Sequence, residues 1–245
     1  MSDSIVFGLH SVRALLERHP QRVAGVLVQR GREDQRVEHI LRLARERQIK
    51  IEIKAVQELD QLTGGGRHQG VIAHIVAAAT LGEGALDDIL DAAGAQPLVL
   101  VLDGVQDPHN LGACLRTADA TGVCAVVVPR ERAAGLSPTV RKVAAGAAET
   151  VPLVQVVNLA RTLKWLKERG LWTVGTDDEA EKSLHDVDLK GPLAIVMGAE
   201  GAGMRRLTRE NCDLLVKIPM RGAVESLNVS VATGVVLYEA VRQRK

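Results

Sequence analysis

The hydrophobic positions of this chain follow two periods, one of about 3.6 residues that is typical of helices and one of about 2 that is typical of strands. Residues 34–47 carry apolar side chains at 37, 40, 41 and 44, which form a helical stripe on an otherwise charged segment. Across the first part of the chain, such patterns predict helices over residues 11–18 and 34–47 and strands over 23–29, 49–54 and 71–76. Ser11 is a candidate N-cap for the first helix.

From residue 97 onward the pattern changes to short, continuously apolar runs. The run from Leu98 to Leu102 is typical of a strand that is buried on both faces of a parallel sheet. Further strands are predicted over residues 125–128, 171–175, 193–197 and 214–218, and helices over 111–121, 159–169 and 229–244. Strands that alternate with helices in this way predict an α/β domain with a mostly parallel sheet and helices on both faces.

The segment between these two patterns is rich in Ala, Gly and Asp. We interpret residues 77–97 as a linker, within which residues 86–93 could form a short helix. The chain is therefore predicted to consist of a small α/β domain over residues 1–76, this linker, and a larger α/β domain over residues 98–245.

Composition limits the kinds of partner that the chain can have. Aromatic residues make up only 2% of it, which excludes a surface that stacks several nucleobases on aromatic rings. The net charge is +1, but residues 1–75 carry 12 Lys and Arg against 9 Asp and Glu, and five of the seven His. If the protein contacts a nucleic acid, the first domain is the better candidate for that contact.

Several classes of site have no signature in the sequence. Three scattered cysteines without a Cys/His cluster predict no metal site and fit a reducing compartment. The N-terminus does not resemble a signal peptide and no apolar run approaches about 18 residues, so we expect a cytoplasmic protein without a membrane partner. The glycine spacing matches neither GxGxxG, GxxxxGK[ST] nor GxSxG, which removes ordinary dehydrogenases, P-loop enzymes and α/β-hydrolases.

Three loops of the larger domain are rich in Gly, Asn, Ser or Pro and follow predicted strands, over residues 107–112, 197–203 and 218–230. Ligands of open α/β sheets bind beyond the carboxyl ends of the strands, and glycine allows a ligand to approach the backbone closely. Any one of these loops is adequately explained as a tight turn. Three of them in one domain favour a binding site.

The same loops carry recognisable motifs. In order, they read Asn110-x-Gly112-x-x-x-Arg116, Met197-Gly198-x-Glu200-Gly201-x-Gly203 and Ile218-Pro219-Met220-x-Gly222-x-x-x-Ser226-Leu227-Asn228-Val229-Ser230-x-Ala232. They resemble the three motifs of the SpoU class of SPOUT methyltransferases, and the resemblance covers about residues 98–245. In the first domain, Phe7-Gly8-x-His10-x-Val12 and Arg67-His68-Gln69-Gly70 resemble the ribosomal-protein-like RNA-binding domain that precedes the catalytic domain in one subgroup.

The resemblance implies a fold and an activity. It implies a deep trefoil knot near the C-terminus, although general topology rules favour an unknotted sheet. It also implies a homodimer that transfers a methyl group from S-adenosylmethionine to the ribose 2′-hydroxyl of a guanosine in the peptidyl-transferase P loop of large-subunit rRNA. Two alternatives stay open: the same chemistry on tRNA, and a non-catalytic RNA-binding factor in ribosome assembly.

The resemblance further implies a catalytic role for Arg116. Because a guanidinium stays protonated in water, we favour an electrostatic role in which Arg116 clamps the target phosphate and stabilises charge on the 2′-oxygen. The family's alternative is that Arg116 accepts the proton. A surface ion pair with Asp119 or Asp107 is a third interpretation.

The other motif residues divide into three expected groups. Catalysis is expected to involve the polar side chains of Asn110, Glu200, Ser226 and Asn228, although Glu200 and Ser226 could equally support the loops and Asn228 could cap the last helix. The cofactor is expected to touch the backbone around Gly198, Ile218, Met220 and Leu227. RNA is expected to meet His10, Arg67 and His68, with a solvated loop as the alternative.

Overall fold

The computed structural model describes residues 4–32, 34–76 and 78–244. The chain divides between Ala78 and Ala79 into two compact units. Among the described residues, no helix is both long enough and apolar enough to cross a lipid bilayer.

The first unit is a four-stranded sheet with three helices. In chain order its elements are β1 Ser4–Phe7, α1 Leu9–Arg18, β2 Val23–Gln29, α2 Gln35–Glu46, β3 Lys50–Lys54, α3 Val56–Thr63 and β4 Val71–Ile75. The strand order is β1-β4-β2-β3, in which β2 and β3 are parallel and β4 is antiparallel to both of its neighbours.

Both faces of this sheet are covered by apolar side chains. The stripe predicted for α2 is confirmed, because Val37, Ile40 and Ala44 are buried in one core cluster, which also includes α1. On the opposite face, Leu59 of α3 packs with Leu27 and Ile72. Asp34 caps α2 by accepting hydrogen bonds from two backbone amides of its first turn.

The second unit is built around a parallel sheet of eight strands. In chain order its elements are β5 Leu81–Gly82, α4 Leu86–Ala92, β6 Leu98–Asp103, α5 Pro108–Ala120, β7 Ala125–Pro129, α6 Pro138–Ala144, α7 Ala147–Thr150, β8 Leu153–Val156, α8 Leu159–Glu168, β9 Trp172–Thr176, β10 Lys182–Ser183, β11 Leu193–Gly198, α9 Arg206–Glu210, β12 Leu214–Lys217 and α10 Val229–Gln243. The strand order is β10-β12-β9-β11-β6-β7-β8-β5.

The apolar run of β6 explains why this sheet is covered on both sides. All six residues of the strand are buried, and successive side chains point to opposite faces. Leu98, Leu100 and Leu102 join the cluster that includes α5, α6 and α10, whereas Val99 and Val101 join the cluster that includes α4 and α8. The prediction of a mostly parallel α/β sheet is therefore confirmed.

Two expectations from the sequence are wrong. Residues 79–97 are not a linker, because they belong to the second unit, in which residues 81–92 include β5 and α4. The short helix predicted over residues 86–93 is nevertheless confirmed as α4. Leu86 and Leu90 of α4 are buried against the sheet, which the Ala-, Gly- and Asp-rich composition concealed. Ser11 does not cap α1 either: the helix begins earlier, at Leu9, with Gly8 as its N-cap residue.

Candidate cofactor and catalytic site

The three motif loops leave the sheet at one edge. Strands β12, β9, β11 and β6 are neighbours, and all of their pairings are parallel. Their carboxyl ends therefore meet at the same edge, where α/β sheets bind ligands. The three motifs, which lie far apart in the sequence, are brought together by this topology.

A cavity of about 390 Å³ opens at this edge. The four residues expected to touch a cofactor, Gly198, Ile218, Met220 and Leu227, all line it. Its volume lies within the usual range for small-molecule sites. The second and third motifs thus form the walls of a single pocket.

The loop after β11 folds back tightly on itself. Ala199 and Gly203 exchange two backbone hydrogen bonds, of 3.0 and 2.9 Å. A Cβ atom on Gly198 would lie 2.3 Å from the carbonyl carbon of Gly203, so a larger residue does not fit there. Gly203 itself has a φ of +62°, which favours glycine. These glycines let the loop place its backbone directly on the cavity.

One polar side chain from each motif meets in a cluster beside this loop. The Asn228 Nδ2 group donates to Asn110 Oδ1 at 3.0 Å and to Glu200 Oε2 at 3.3 Å, and Asn110 Nδ2 donates to the same carboxylate oxygen at 3.3 Å. We call Asn110, Glu200 and Asn228 the amide–carboxylate cluster. Each of the three side chains is exposed enough to meet a substrate.

Asn228 also begins the last helix. Its Oδ1 atom accepts from the backbone N–H of Ser230 at 2.9 Å and from the Ser230 hydroxyl at 2.6 Å. The predicted capping role is confirmed. Because the oxygen is held by the helix, the Asn228 NH₂ group is directed to Asn110 and Glu200.

Arg116 lies on α5, six residues after Asn110 and therefore about 9 Å further along the helix axis. Its side chain is exposed. Asp107 caps the same helix by accepting from the His109 amide at 3.0 Å, and Asp119 accepts from the Thr150 hydroxyl at 2.7 Å. Both acids therefore have other hydrogen-bond partners.

Acidic side chains at the cavity were missed by the sequence analysis. Asp178 and Glu179 line it directly after β9, and Glu225 lines it within the third motif next to Ser226, which is exposed. Asp177 is held by Arg209, with Oδ2 and Nε 2.6 Å apart. Asp177 and Asp178 also follow a buried strand, so the rule that identified the other loops could have found them. Carboxylates here favour a ligand that carries positive charge.

The two motif pieces of the first unit are also brought together. The backbone N–H of Gly8 donates to the Val71 carbonyl at 3.1 Å, and the N–H of Leu9 donates to Gln69 Oε1 at 3.2 Å. His10 and Arg67 are both exposed near this junction. Both side chains are therefore accessible to a ligand.

His68 differs from its neighbours because it is buried. Its Nε2 atom lies 3.0 Å from Asp60 Oδ1, and its Nδ1 atom accepts from the Gly70 amide at 3.0 Å. With both ring nitrogens engaged, His68 orders the glycine-rich loop from inside. Neither expectation for it, an RNA contact or a solvated loop residue, fits this position.

The cysteines are unsuited to nucleophilic chemistry. Burial raises the pKa of Cys114 to about 11 and that of Cys212 to about 12, so both stay as thiols at neutral pH. Over the described residues, no group of three or more His, Cys, Asp or Glu is arranged to hold a metal ion.

Two family models match this chain. The model of the SpoU rRNA Methylase family matches residues 97–238, which is more than half of the chain. This chain belongs to the SpoU rRNA methylase family. A second model, described as RNA 2′-O ribose methyltransferase substrate binding, matches residues 5–81 of this SpoU methylase.

Similar proteins agree with this membership. The SpoU methylase is 56% identical to the 23S rRNA (guanosine-2′-O-)-methyltransferase RlmB of Pseudomonas putida, over 98% of this chain and 96% of that one. It is 26% identical, with a TM-score of 0.71, to the SpoU methyltransferase AviRb of Streptomyces viridochromogenes, solved with the cofactor AdoMet; 98% of this chain and 90% of AviRb are covered. The TrmH/SpoU tRNA modifying enzyme of A. aeolicus is 32% identical, with a TM-score of 0.56, over 66% of this chain and 83% of its own.

Proposed function

We propose that this chain transfers a methyl group from S-adenosylmethionine to the ribose 2′-hydroxyl of a guanosine in the P loop of large-subunit rRNA. The observation that carries the proposal is the amide–carboxylate cluster, in which one side chain from each motif meets beside a cavity of cofactor size. The RlmB relatives, which match nearly the whole chain, support the guanosine and the rRNA.

S-adenosylmethionine suits the residues of the cavity. Backbone atoms around Gly198, Ile218, Met220 and Leu227 offer neutral hydrogen-bonding groups to an adenosine, and the acidic side chains complement a sulfonium and an ammonium. When bound, the cofactor supplies an activated methyl group. The protein therefore needs mainly to bind and orient the cofactor and the RNA and to assist the loss of one proton from the 2′-hydroxyl.

We assign Arg116 an electrostatic role in the reaction. It is exposed, carries a permanent positive charge and has no ionic partner among the described residues, so it is available to a phosphate. Placed against the target nucleotide, it holds the phosphate and stabilises negative charge that develops on the 2′-oxygen as its proton leaves.

The amide–carboxylate cluster would orient the target ribose. Asn110 keeps one N–H and one oxygen lone pair for a hydroxyl, while Glu200 and the fully engaged Asn228 fix its direction. Ser226, which is exposed at the cavity, is placed to add one hydrogen bond to the substrate.

The first unit would determine which RNA the protein binds. Its substrate-binding family match and the exposed side chains of His10 and Arg67 support a contact with rRNA phosphate or bases. A tRNA substrate is the rival. The A. aeolicus tRNA modifying enzyme matches only 66% of this chain, whereas the rRNA enzyme RlmB matches 98%, and this difference favours rRNA.

We further propose the knotted, dimeric and cytoplasmic form of the family. Membership of the SpoU family supports this proposal, in which the segments that hold the second and third motifs would form the trefoil knot. In a homodimer with sites at the interface, Arg116 and the cofactor loops would lie near the two-fold axis.

The activity can be tested with purified protein, S-adenosylmethionine and either large-subunit rRNA or tRNA. After digestion to nucleosides, mass spectrometry should detect 2′-O-methylguanosine from the rRNA only. Methylation of tRNA alone would transfer the proposal to the rival substrate. Absence of any binding of S-adenosylmethionine, measured by calorimetry, would favour a non-catalytic RNA-binding factor instead.

A further inference from the structure

Asp103 is a buried acid that none of the three motifs contains. It is the last residue of β6, pairs in register with Gly198 of β11, and has a side chain with no exposed surface. Burying an ionised carboxylate without partners is energetically costly. The hydrogen-bond partners of Asp103 therefore indicate which part of the structure it stabilises.

Both partners of this carboxylate belong to Arg205. Asp103 Oδ2 accepts from the backbone N–H of Arg205 at 2.9 Å, and Oδ1 accepts from Arg205 Nε at 2.6 Å. The Arg205 side chain is 49% exposed, so the pair is buried on the side of the acid only. A charge-assisted pair of this kind is stronger than neutral hydrogen bonds.

The two contacts of Asp103 lie at the two ends of the cavity loop. Its backbone is the strand partner of Gly198, where the loop begins, and its side chain binds Arg205, where the loop ends. Between these points, residues 199–204 turn back through the Ala199–Gly203 hydrogen bonds and line the cavity. Asp103 therefore ties the start of the loop to its end.

We propose that Asp103 is a positioning residue that holds residues 199–204 in the cofactor-binding conformation through its pair with Arg205. The inference rests on the proposed function, because it assumes that S-adenosylmethionine binds in this cavity. A loop that is already ordered loses less entropy when a ligand binds, so the pair raises affinity without touching the ligand.

The test uses Asp103→Asn, Arg205→Ala and the double variant in the full chain. Asp103→Asn keeps the size of the side chain and removes its charge, whereas Arg205→Ala changes a half-exposed side chain. Each single variant should raise the Kd for S-adenosylmethionine, measured by calorimetry, about tenfold. The KM for S-adenosylmethionine should rise in parallel, while kcat at saturating cofactor stays within about threefold. The double variant should be no worse than either single one, because both changes break the same link.

Asp213→Asn is a matched control. Asp213 directly precedes β12 and also accepts a backbone N–H, from Thr173 at 3.0 Å, but Thr173 lies at the amino end of β9, away from the cavity edge. This variant should lower the unfolding temperature and leave the Kd unchanged.

Each outcome decides between the alternatives. An unchanged Kd in a folded Asp103→Asn or Arg205→Ala variant would overturn the inference. An equal rise in the Asp213→Asn control would also overturn it, since the effect would then follow from general destabilisation. If Asp103→Asn does not fold, Arg205→Ala provides the same test. Failure of the unaltered protein to bind S-adenosylmethionine would instead refute the proposed function.

Discussion

At the scale of single residues, the site depends on side chains that serve two purposes. Asn228 caps α10 with its oxygen and joins the amide–carboxylate cluster with its nitrogen. Glu200 accepts from both amides at once. Because each contact fixes the direction of the next, these polar groups are oriented before a substrate arrives.

Arg116→Ala tests the electrostatic role. Methyl transfer should fall about 100-fold or more, since the stabilisation of charge on the 2′-oxygen is lost, while the Kd for S-adenosylmethionine should stay unchanged. Single-turnover transfer and calorimetry measure the two quantities. Arg206→Ala, which removes another exposed arginine of this unit, is the control and should leave transfer unchanged. An equal loss of cofactor affinity in Arg116→Ala would contradict the assignment.

A comparison of Asn110→Ala with Asn228→Ala separates the two purposes of the cluster. Both variants should slow methyl transfer, because each removes an amide from the cluster. Only Asn228→Ala also removes a helix cap, so it alone should lower the free energy of unfolding, by about 1 kcal/mol. Chemical denaturation measures this difference. Equal stabilities of the two variants would show that the cap contributes little.

At the scale of elements, helices and strands with a long hydrophobic pattern could be predicted from the sequence. Short elements that are stabilised by contacts with the rest of the fold could not. The stripe of α2 and the apolar run of β6 can be recognised in the sequence because their buried positions carry apolar residues. Helices α3, α6, α7 and α9 and strands β1, β5, β8 and β10 were missed, since they are short and depend on their neighbours for burial. For α4, the short helix was predicted, but composition assigned it to a linker, whereas Leu86 and Leu90 bury it in the core of the second unit.

The burial of α4 gives a stability prediction. Leu86 is fully buried in the core cluster that also includes Val99 and Val154, so Leu86→Ala should lower the free energy of unfolding by about 2–5 kcal/mol. Leu81→Ala is the control: Leu81 is 37% exposed and should cost much less. Denaturant unfolding measures both. A negligible effect of Leu86→Ala would restore the interpretation of this segment as a linker.

The end of α10 gives a prediction about pH. Hydrogen bonds from Arg242 and then Gln243 lower the pKa of Glu239 to about 2, below its usual 4.5. Because this pKa is lower in the folded state, the stabilisation is present above pH 4.5 and is lost as the pH falls towards 2. Gln243 in turn donates to the Val187 carbonyl and accepts from the Leu189 N–H, so the end of α10 stabilises the loop that contains these two residues.

Stability should therefore depend less on pH in the Glu239→Gln variant than in the unaltered protein when the solution is acidified. The unfolding temperature of the unaltered protein should fall between pH 4.5 and 2 more steeply than that of the variant. Glu210→Gln, which removes an exposed carboxylate, is the control and should leave the slope unchanged. Parallel pH profiles for Glu239→Gln and the unaltered protein would contradict the role of this carboxylate.

At the scale of the whole molecule, the sequence predicted the chemistry better than the substrate. The three motifs could be placed at one sheet edge because parallel strands align their carboxyl ends. Contacts that support the site, such as the Asp103–Arg205 pair outside the motifs, join residues about a hundred positions apart, and no local pattern reveals such a pair. In the first unit the motif signal was weaker, and His68 proved to be structural.

Removal of residues 1–78 tests the division of work between the two units. The remainder is a compact unit with its own core, so it should fold and bind S-adenosylmethionine with unchanged affinity. It should methylate large-subunit rRNA poorly, because the proposed RNA contacts are gone. Circular dichroism, calorimetry and methyl transfer measure the three properties. Full activity after truncation would show that the first unit is dispensable for substrate choice.

We conclude that this chain methylates a ribose of large-subunit rRNA. The most direct test is a map of 2′-O-methyl groups in the RNA of cells that lack the protein. We predict that one guanosine in the P loop loses its methyl group, and that the gene for the unaltered protein restores it while Arg116→Ala does not. Loss of a tRNA methyl group with an unchanged rRNA map would contradict the account.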